Sequence, residues 1–228
     1  MLRYSRRVFL LGSPLVLAGC VTSRAPSFGL FGDRSSIGSY NYRIIYAGGV
    51  DNGNAFPPID FSQIDPQFYR REVSDPTGEL PGTIVVDPDN HFLYHVHEAG
   101  VATRYGVGVG REGFAWHGKA VIKRKAEWPR WTPPSEMTKR DSEAAKYAGG
   151  MPGGLGNPLG ARAMYLYQGD HDTLYRLHGT NDPSSIGKSM SSGCIRLLNQ
   201  DIMALYNNTP VGVRVVVLPS RGGEGGSI

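Results

Sequence analysis

Between residues 80 and 219 the chain alternates short apolar runs with polar punctuation at strand spacing. Residues 83–86 and 92–96 are rich in β-branched and aromatic side chains, and Asp87-Pro88-Asp89-Asn90 separates them. Proline sets φ there and Asp or Asn tolerates tight geometry, so the two runs read as a hairpin. Residues 103–109, 118–124, 163–167, 174–178 and 211–218 continue the series of expected strands. One helix stands out, at 199–207, with Asn199 as N-cap and Ile202, Leu205 and Tyr206 on one face. The pattern predicts a mostly-β domain over 80–219.

The remaining segments lack this periodicity. With 31 Gly and 16 Pro in 228 residues, the chain favours turns and long loops over long helices. The length suits one substantial domain with appendages. Residues 128–156 carry Pro129, Pro133, Pro134 and Pro152 and glycines at 149, 150, 153, 154 and 156. That is more loop than a compact domain keeps without a use, so we expect a lid or wall with a short helix at 139–147; a disordered insertion is the alternative. Residues 40–79 read as an N-terminal extension packed on the domain. Residues 20–39 read as a flexible tether and 220–228 as a flexible tail.

The first 19 residues read as an export signal. Arg3, Arg6 and Arg7 form a basic start, residues 8–17 an apolar stretch too short to span a bilayer, and Leu17-Ala18-Gly19-Cys20 closes it. That ending resembles the lipobox of bacterial lipoproteins, which implies lipidation of Cys20 and a membrane anchor facing the periplasm. Val21 follows Cys20 where an aspartate is associated with inner-membrane retention, so outer-membrane sorting is mildly preferred. Ser5-Arg6-Arg7-Val8-Phe9-Leu10 also resembles a twin-arginine signal. Without the three leader arginines the formal charge of +4 falls to +1, so the basic balance does not imply a nucleic-acid partner.

The chain has two cysteines, and with Cys20 assigned to the anchor, Cys194 is the thiol left in the exported part. A thiol is a weak nucleophile at neutral pH unless a neighbouring base takes its proton. His178 lies 16 positions upstream, a spacing that brings two segments side by side rather than one helical face together. The pair has the minimum equipment for acyl transfer.

His178-Gly179-Thr180, Ile186-Gly187 and Ser191-x-Gly193-Cys194-Ile195-Arg196, with Asn199 and Asp201 shortly after, resemble the L,D-transpeptidase catalytic domain, also called the YkuD domain. The similarity runs over about residues 80–219 and includes the hairpin at 83–96 and Asn157-Pro158-Leu159-Gly160. It implies a YkuD-like β-sandwich with one or two short helices and long Gly/Pro-rich loops. It also implies attack by the cysteine on the carbonyl after the L-centre of the third residue of a peptidoglycan stem peptide, usually a diaminopimelate. Carried over, Cys194 is the nucleophile and His178 its base, and the backbone carbonyl of Gly179 orients the imidazole. Backbone N–H groups around Gly193 and Cys194 become the oxyanion donors, Ser191 matches the opening Ser/Thr, and Ser192 departs from the histidine often found there. Arg196 occupies a position where the family presents a polar side chain to the cleft, and its guanidinium suits a stem-peptide carboxylate; a surface arginine is the alternative. No cofactor is implied.

Three other patterns carry less. Gly108-Val109-Gly110-Arg111-Glu112-Gly113 fits a dinucleotide fingerprint, but proline, aromatic residues and β patterning follow it rather than a phosphate-facing helix. His91, His95 and His97 suggest a metal cluster, yet no further ligand is near, and a solvent-facing hairpin is the better reading, with no metal. Lys123-Arg124-Lys125 before Trp128 and Trp131 resembles a nucleic-acid patch that export disfavours. The expected function is therefore an L,D-transpeptidase acting on stem peptides. A carboxypeptidase or hydrolase on the same fold, a non-catalytic wall-binding module and a thiol redox protein are the competing readings, the last disfavoured by the lack of a C-x-x-C pair.

Overall fold

A computed structural model of the chain describes residues 41–110, 116–190 and 194–220. The described strands are β1 (Gly49–Asp51), β2 (Asn54–Phe56), β3 (Arg71–Ser74), β4 (Ile84–Asp87), β5 (Phe92–Val96), β6 (Val101–Gly106) and β7 (Gly108–Gly110), followed by β8 (Gly118–Glu127), β9 (Arg162–Gln168), β10 (His171–His178), β11 (Ser189–Met190), β12 (Ile195–Arg196) and β13 (Arg214–Val217). The helices are α1 (Tyr42–Ile45), α2 (Ser135–Arg140), α3 (Ser142–Ala145) and α4 (Asn199–Asn207). Strands β1 and β2 form a separate hairpin. The other eleven make one mixed sheet in the order β11-β7-β12-β10-β9-β8-β13-β4-β5-β6-β3.

Only Val107 separates β6 from β7 in sequence, yet they stand near opposite ends of that order. The sheet therefore curves back around a shared core, which explains why Val86 and Leu93 share one buried cluster with Val109, Leu177 and Ile195. Ile202 and Leu205 of α4 close it. The expected strand at 103–109 is thus two strands. At the break Val107 N–H donates to the His91 carbonyl at 2.9 Å and its own carbonyl accepts from Gly187 N–H at 3.0 Å, so the backbone changes partners there. Gly108–Gly110 pairs with β11 and β12 as a strand, not as the turn before a helix that a dinucleotide fingerprint needs.

Three local expectations require correction. Helix α4 has the expected bounds, but Leu198 holds the N-cap position, and the Asn199 side chain makes tertiary hydrogen bonds instead. The helix expected at 139–147 is two helices, α2 and α3, broken at Asp141, whose carboxylate accepts from Glu143 N–H at 2.9 Å and Ala144 N–H at 3.3 Å. A capping Asp starts a helix more readily than it continues one. The histidine hairpin is not solvent-facing throughout: His95 is buried, its ring 4.8 Å from that of His97, and burial pushes its pKa down to about 4.

The loop at 128–156 is tied down at Asn157, which is fully buried and donates to the carbonyls of Pro129 and Pro152, both at 3.0 Å. In the extension, Tyr46, Ile64 and Tyr69 pack with Ile186 and Leu198 in a second apolar cluster. Arg162 of β9 grips the β1–β2 hairpin through a two-pronged pair with Asp51, at 2.7 and 2.9 Å, and Trp128 Nε1 donates to the same carboxylate at 2.7 Å.

Candidate active site

Strand β12 lies parallel to β10, with Leu177 opposite Ile195 and His178 opposite Arg196. Successive side chains on a strand point to opposite faces. Leu177 and Ile195 enter the core, so Arg176, His178 and Arg196 project from the other face, and Cys194, two positions before Arg196, shares it. Cys194 is thereby the diagonal neighbour of His178 on the adjacent strand. Its carbonyl accepts from Gly110 N–H at 3.2 Å, which ties the cysteine backbone to β7, and its residue is half-buried. The spacing of 16 residues resolves into two neighbouring strands of one sheet.

His178 is buried, and its Nδ1 lies 2.6 Å from the Gly179 carbonyl oxygen. A carbonyl only accepts, so Nδ1 carries the hydrogen, and Nε2 is the lone-pair nitrogen of the neutral ring. Burial pushes the imidazole pKa down to about 4, the nearby Arg196 charge adds to this, and hydrogen bonding to the Gly179 and Pro158 backbone opposes it. At neutral pH the ring is a neutral acceptor. Arg196 is half-buried; burial lowers its pKa, while the proximity of Cys194 and Asp182 raises it. A guanidinium at this position favours negative charge on the neighbouring sulfur.

The loop that carries the Gly179 carbonyl is held by Asn199. Its Oδ1 accepts from Ala161 N–H and its Nδ2 donates to the Thr180 carbonyl, both at 2.9 Å. The approach is so close that a Cβ on Gly179 would run into Asn199 Oδ1 and come within 2.9 Å of Ala161 N. Gly160, at φ +60°, faces the same side chain, so two glycines and one asparagine form a single clasp.

The next two residues of α4 grip the extension. Gln200 Nε2 donates to the carbonyls of Ala47 at 3.3 Å and Pro57 at 3.1 Å. Asp201 is fully buried; it accepts from Tyr46 Oη at 3.1 Å and lies 3.5 Å from Arg70 Nε. The Arg70 N–H donates to the Tyr46 hydroxyl at 2.7 Å, closing the group. Burial outweighs the Arg70 charge and raises the Asp201 pKa to about 7. A cleft of about 390 Å³ opens beside this clasp between Phe56 and Pro58 of the extension and Thr180 and Asn181; neither Cys194 nor His178 lines it.

Of the residues singled out from the sequence, Cys194, His178, Gly179 and Arg196 come together on one sheet face. Ser191, Ser192 and Gly193, and Cys20 in the leader, lie outside the described residues. The roles of Gln200 and the Tyr46–Arg70 pair had no signal in the sequence pattern. Asn199 and Asp201 did, as parts of the motif, but Asn199 was read only as an N-cap and Asp201 had no stated task. No group of three or more His, Cys, Asp or Glu positioned to hold a metal occurs among the described residues.

Residues 81–217 match the family model for the L,D-transpeptidase catalytic domain. The chain is 34% identical over 143 residues to the probable L,D-transpeptidase ErfK/SrfK of Escherichia coli, which covers 60% of this chain and 44% of that protein. It is 33% identical over 148 residues to the putative L,D-transpeptidase YqjB of Bacillus subtilis, covering 62% of this chain and 76% of that one. The chain thus spans under half the length of the ErfK/SrfK relative. Among solved structures, a Brucella melitensis chain described as a probable carnitine operon oxidoreductase is 51% identical, with 68% of this chain and 96% of that one covered and a TM-score of 0.48.

Proposed function

The chain belongs to the L,D-transpeptidase catalytic-domain family, and from that premise we propose that it is a cysteine acyltransferase acting on peptidoglycan stem tetrapeptides. Cys194 Sγ attacks the carbonyl of the third stem residue while its proton passes to His178 Nε2. The resulting oxyanion is held by backbone N–H groups around Gly193 and Cys194. Collapse expels the terminal D-amino acid, which takes the proton from His178, and an amine then attacks the thioester and releases the thiol. Gly179 contributes its carbonyl, and Arg196 favours the thiolate. The observation that carries this reading is the 2.6 Å contact between Nδ1 of a buried histidine and the Gly179 carbonyl, one strand away from Cys194.

The finer expectations belong to the same proposal. The curved mixed sheet supports the sandwich of the family. The lipobox-like Leu17-Ala18-Gly19-Cys20 and the twin-arginine-like start support a lipid-anchored periplasmic protein, and Val21 after the cysteine supports sorting to the outer membrane. Incubation with defined tetrapeptide muropeptides followed by mass analysis tests the reaction. Cross-linked dimers are expected from the wild type and none from Cys194→Ala. Tripeptides without dimers make the enzyme a carboxypeptidase, and unchanged masses make it a binding module. For the anchor, Cys20→Ser is expected to release the protein from membranes or to leave its leader uncleaved; equal membrane content in both proteins overturns that part.

A further inference from the structure

The three basic residues Lys123-Arg124-Lys125 of β8 have separate fates in the fold. Lys123 pairs with Asp170 at 2.7 Å. Lys125 turns under α4, donating to the carbonyls of Tyr206 at 2.7 Å and Thr209 at 2.6 Å, with its ammonium 3.9 Å from the Tyr206 ring centroid. Arg124 is exposed and forms no ion pair among the described residues. Its guanidinium lies over the ring of Tyr165, 4.4 Å from the centroid.

The sheet register places that ring in line with the candidate nucleophile. Arg124 pairs with Tyr165 across β8 and β9, and Tyr165 pairs with Arg176 across β9 and β10. Continuing the β10–β12 register by one residue sets Cys194 opposite Arg176. Arg124, Tyr165, Arg176 and Cys194 therefore form one row across four strands, on the face that also carries His178 and Arg196. Two of the guanidinium groups on this face already have carboxylates nearby. Arg176 makes a two-pronged pair with Asp172, at 2.6 and 2.8 Å, while also lying 4.4 Å from the Tyr165 centroid, and Arg196 feels Asp182 and Cys194. Tyr165 is itself buried, so the platform under Arg124 is fixed.

We propose that Arg124, stacked on Tyr165, is a specificity residue that binds a carboxylate of the stem peptide carrying the reactive carbonyl. The proposal rests on the stem-peptide reading given above. A fixed aromatic ring pre-orients a planar guanidinium and leaves its N–H edge to meet a carboxylate side-on. Strands stand about 4.8 Å apart, so a guanidinium over β9 lies roughly 10 Å from β12, about three extended residues from the reacting carbonyl. Stem peptides carry acidic groups at that separation, the α-carboxylate of their γ-linked glutamate among them. The cationic run that looks like a nucleic-acid patch in the sequence thus contributes one arginine to the catalytic face.

Two stem tetrapeptides, one with the glutamate carboxylate free and one with it amidated, test this. Equilibrium binding to Cys194→Ala and to the double variant Cys194→Ala/Arg124→Gln reads the subsite without turnover. Release of the terminal D-amino acid by wild type and by Arg124→Gln reads the reaction. We expect Arg124→Gln to weaken binding and lower kcat/KM about tenfold for the free carboxylate and less than twofold for the amidated peptide. Equal effects on the two peptides, or no effect on either, overturn the carboxylate subsite. Absence of D-amino acid release by the wild type overturns the transfer reading instead, and the binding comparison still decides the subsite. Arg124→Lys, which keeps the charge but loses the planar edge, is expected to recover only part of the discrimination.

Discussion

The first turn of α4 separates two buried titratable groups that burial moves in opposite directions. His178, on the catalytic side, is driven down to about 4; Asp201, on the extension side, is driven up to about 7. The physics is common to both, because a low-dielectric surrounding penalises whichever form is charged. Their neighbours differ. Arg196 reinforces the effect on the imidazole, whereas Arg70 and the Tyr46 hydroxyl work against it on the carboxyl without cancelling it. The usual order of titration is therefore inverted: the proposed base is neutral throughout the physiological range, and the carboxyl that docks the extension ionises inside it. The imidazole proposed as base and the carboxyl that docks the extension thus differ in their sensitivity to pH.

Substitution at the base is the harshest way to break this comparison. His178→Ala is expected to slow transfer by a factor of about 10²–10⁴ and to lower the melting temperature, because it empties a buried site and leaves the Gly179 carbonyl without its donor. D-amino acid release and a thermal melt check both parts; a rate within a few-fold of wild type moves the base elsewhere. Asn199→Ala strikes the shared turn. It leaves the Ala161 N–H and the Thr180 carbonyl without their partners, an expected loss of about 2–4 kcal/mol in denaturant unfolding, accompanied by a lower kcat.

A pH series separates the two groups. The folded His178 binds fewer protons than the unfolded chain between about 4 and 6.5, so its contribution makes stability rise with pH across that window and is lost as pH falls through it. The folded Asp201 binds more protons than the unfolded chain between 3.8 and about 7, so its contribution makes stability fall as pH rises and level off above neutrality. Between about 4 and 6.5 the two contributions offset one another, so Asp201→Asn is expected to show a steeper rise of stability with pH across that window than the wild type; urea unfolding of both proteins at half-unit pH steps reads the difference. The smallest expected effect is that of Tyr46→Phe, about 1 kcal/mol, from one buried hydroxyl that donates to Asp201 and accepts from the Arg70 N–H. If the extension positions the histidine loop through α4, kcat falls with it and KM stays unchanged. A stability loss with unaltered kcat confines the extension to a structural role.

Legibility in the sequence differed between these regions for the same physical reason. The hairpin of β4 and β5 and the bounds of α4 were readable because local chemistry sets them: a Pro-Asp-Asn turn, β-branched runs and a 3.6-residue apolar repeat. The histidine and cysteine could be singled out because the pieces of their motif lie within one short stretch, 178–196. The break at Val107 was not, since nothing local distinguishes a strand that changes partners from one that continues. Asn199 has the residue type of an N-cap, and only the proximity of Gly160 and Gly179 redirects its amide. His95 lies in a hairpin that reads as solvent-facing, and the curvature of the sheet is what buries it.

By itself, the sequence determined the mostly-β character, the long helix at 199–207 and the presence of a thiol and an imidazole as candidates for acyl transfer, because propensity, turn chemistry and side-chain reactivity are properties of residues and their near neighbours. Tertiary structure alone decided which groups meet. Tyr46 reaches Asp201 across 155 positions, Asp51 reaches Arg162 across 111, and the fates of Lys123, Arg124 and Lys125 depend on strands and a helix that follow them by 40 residues or more. Such contacts form only once the sheet has curved around its core, and burial within it then sets the protonation states on which the chemistry depends.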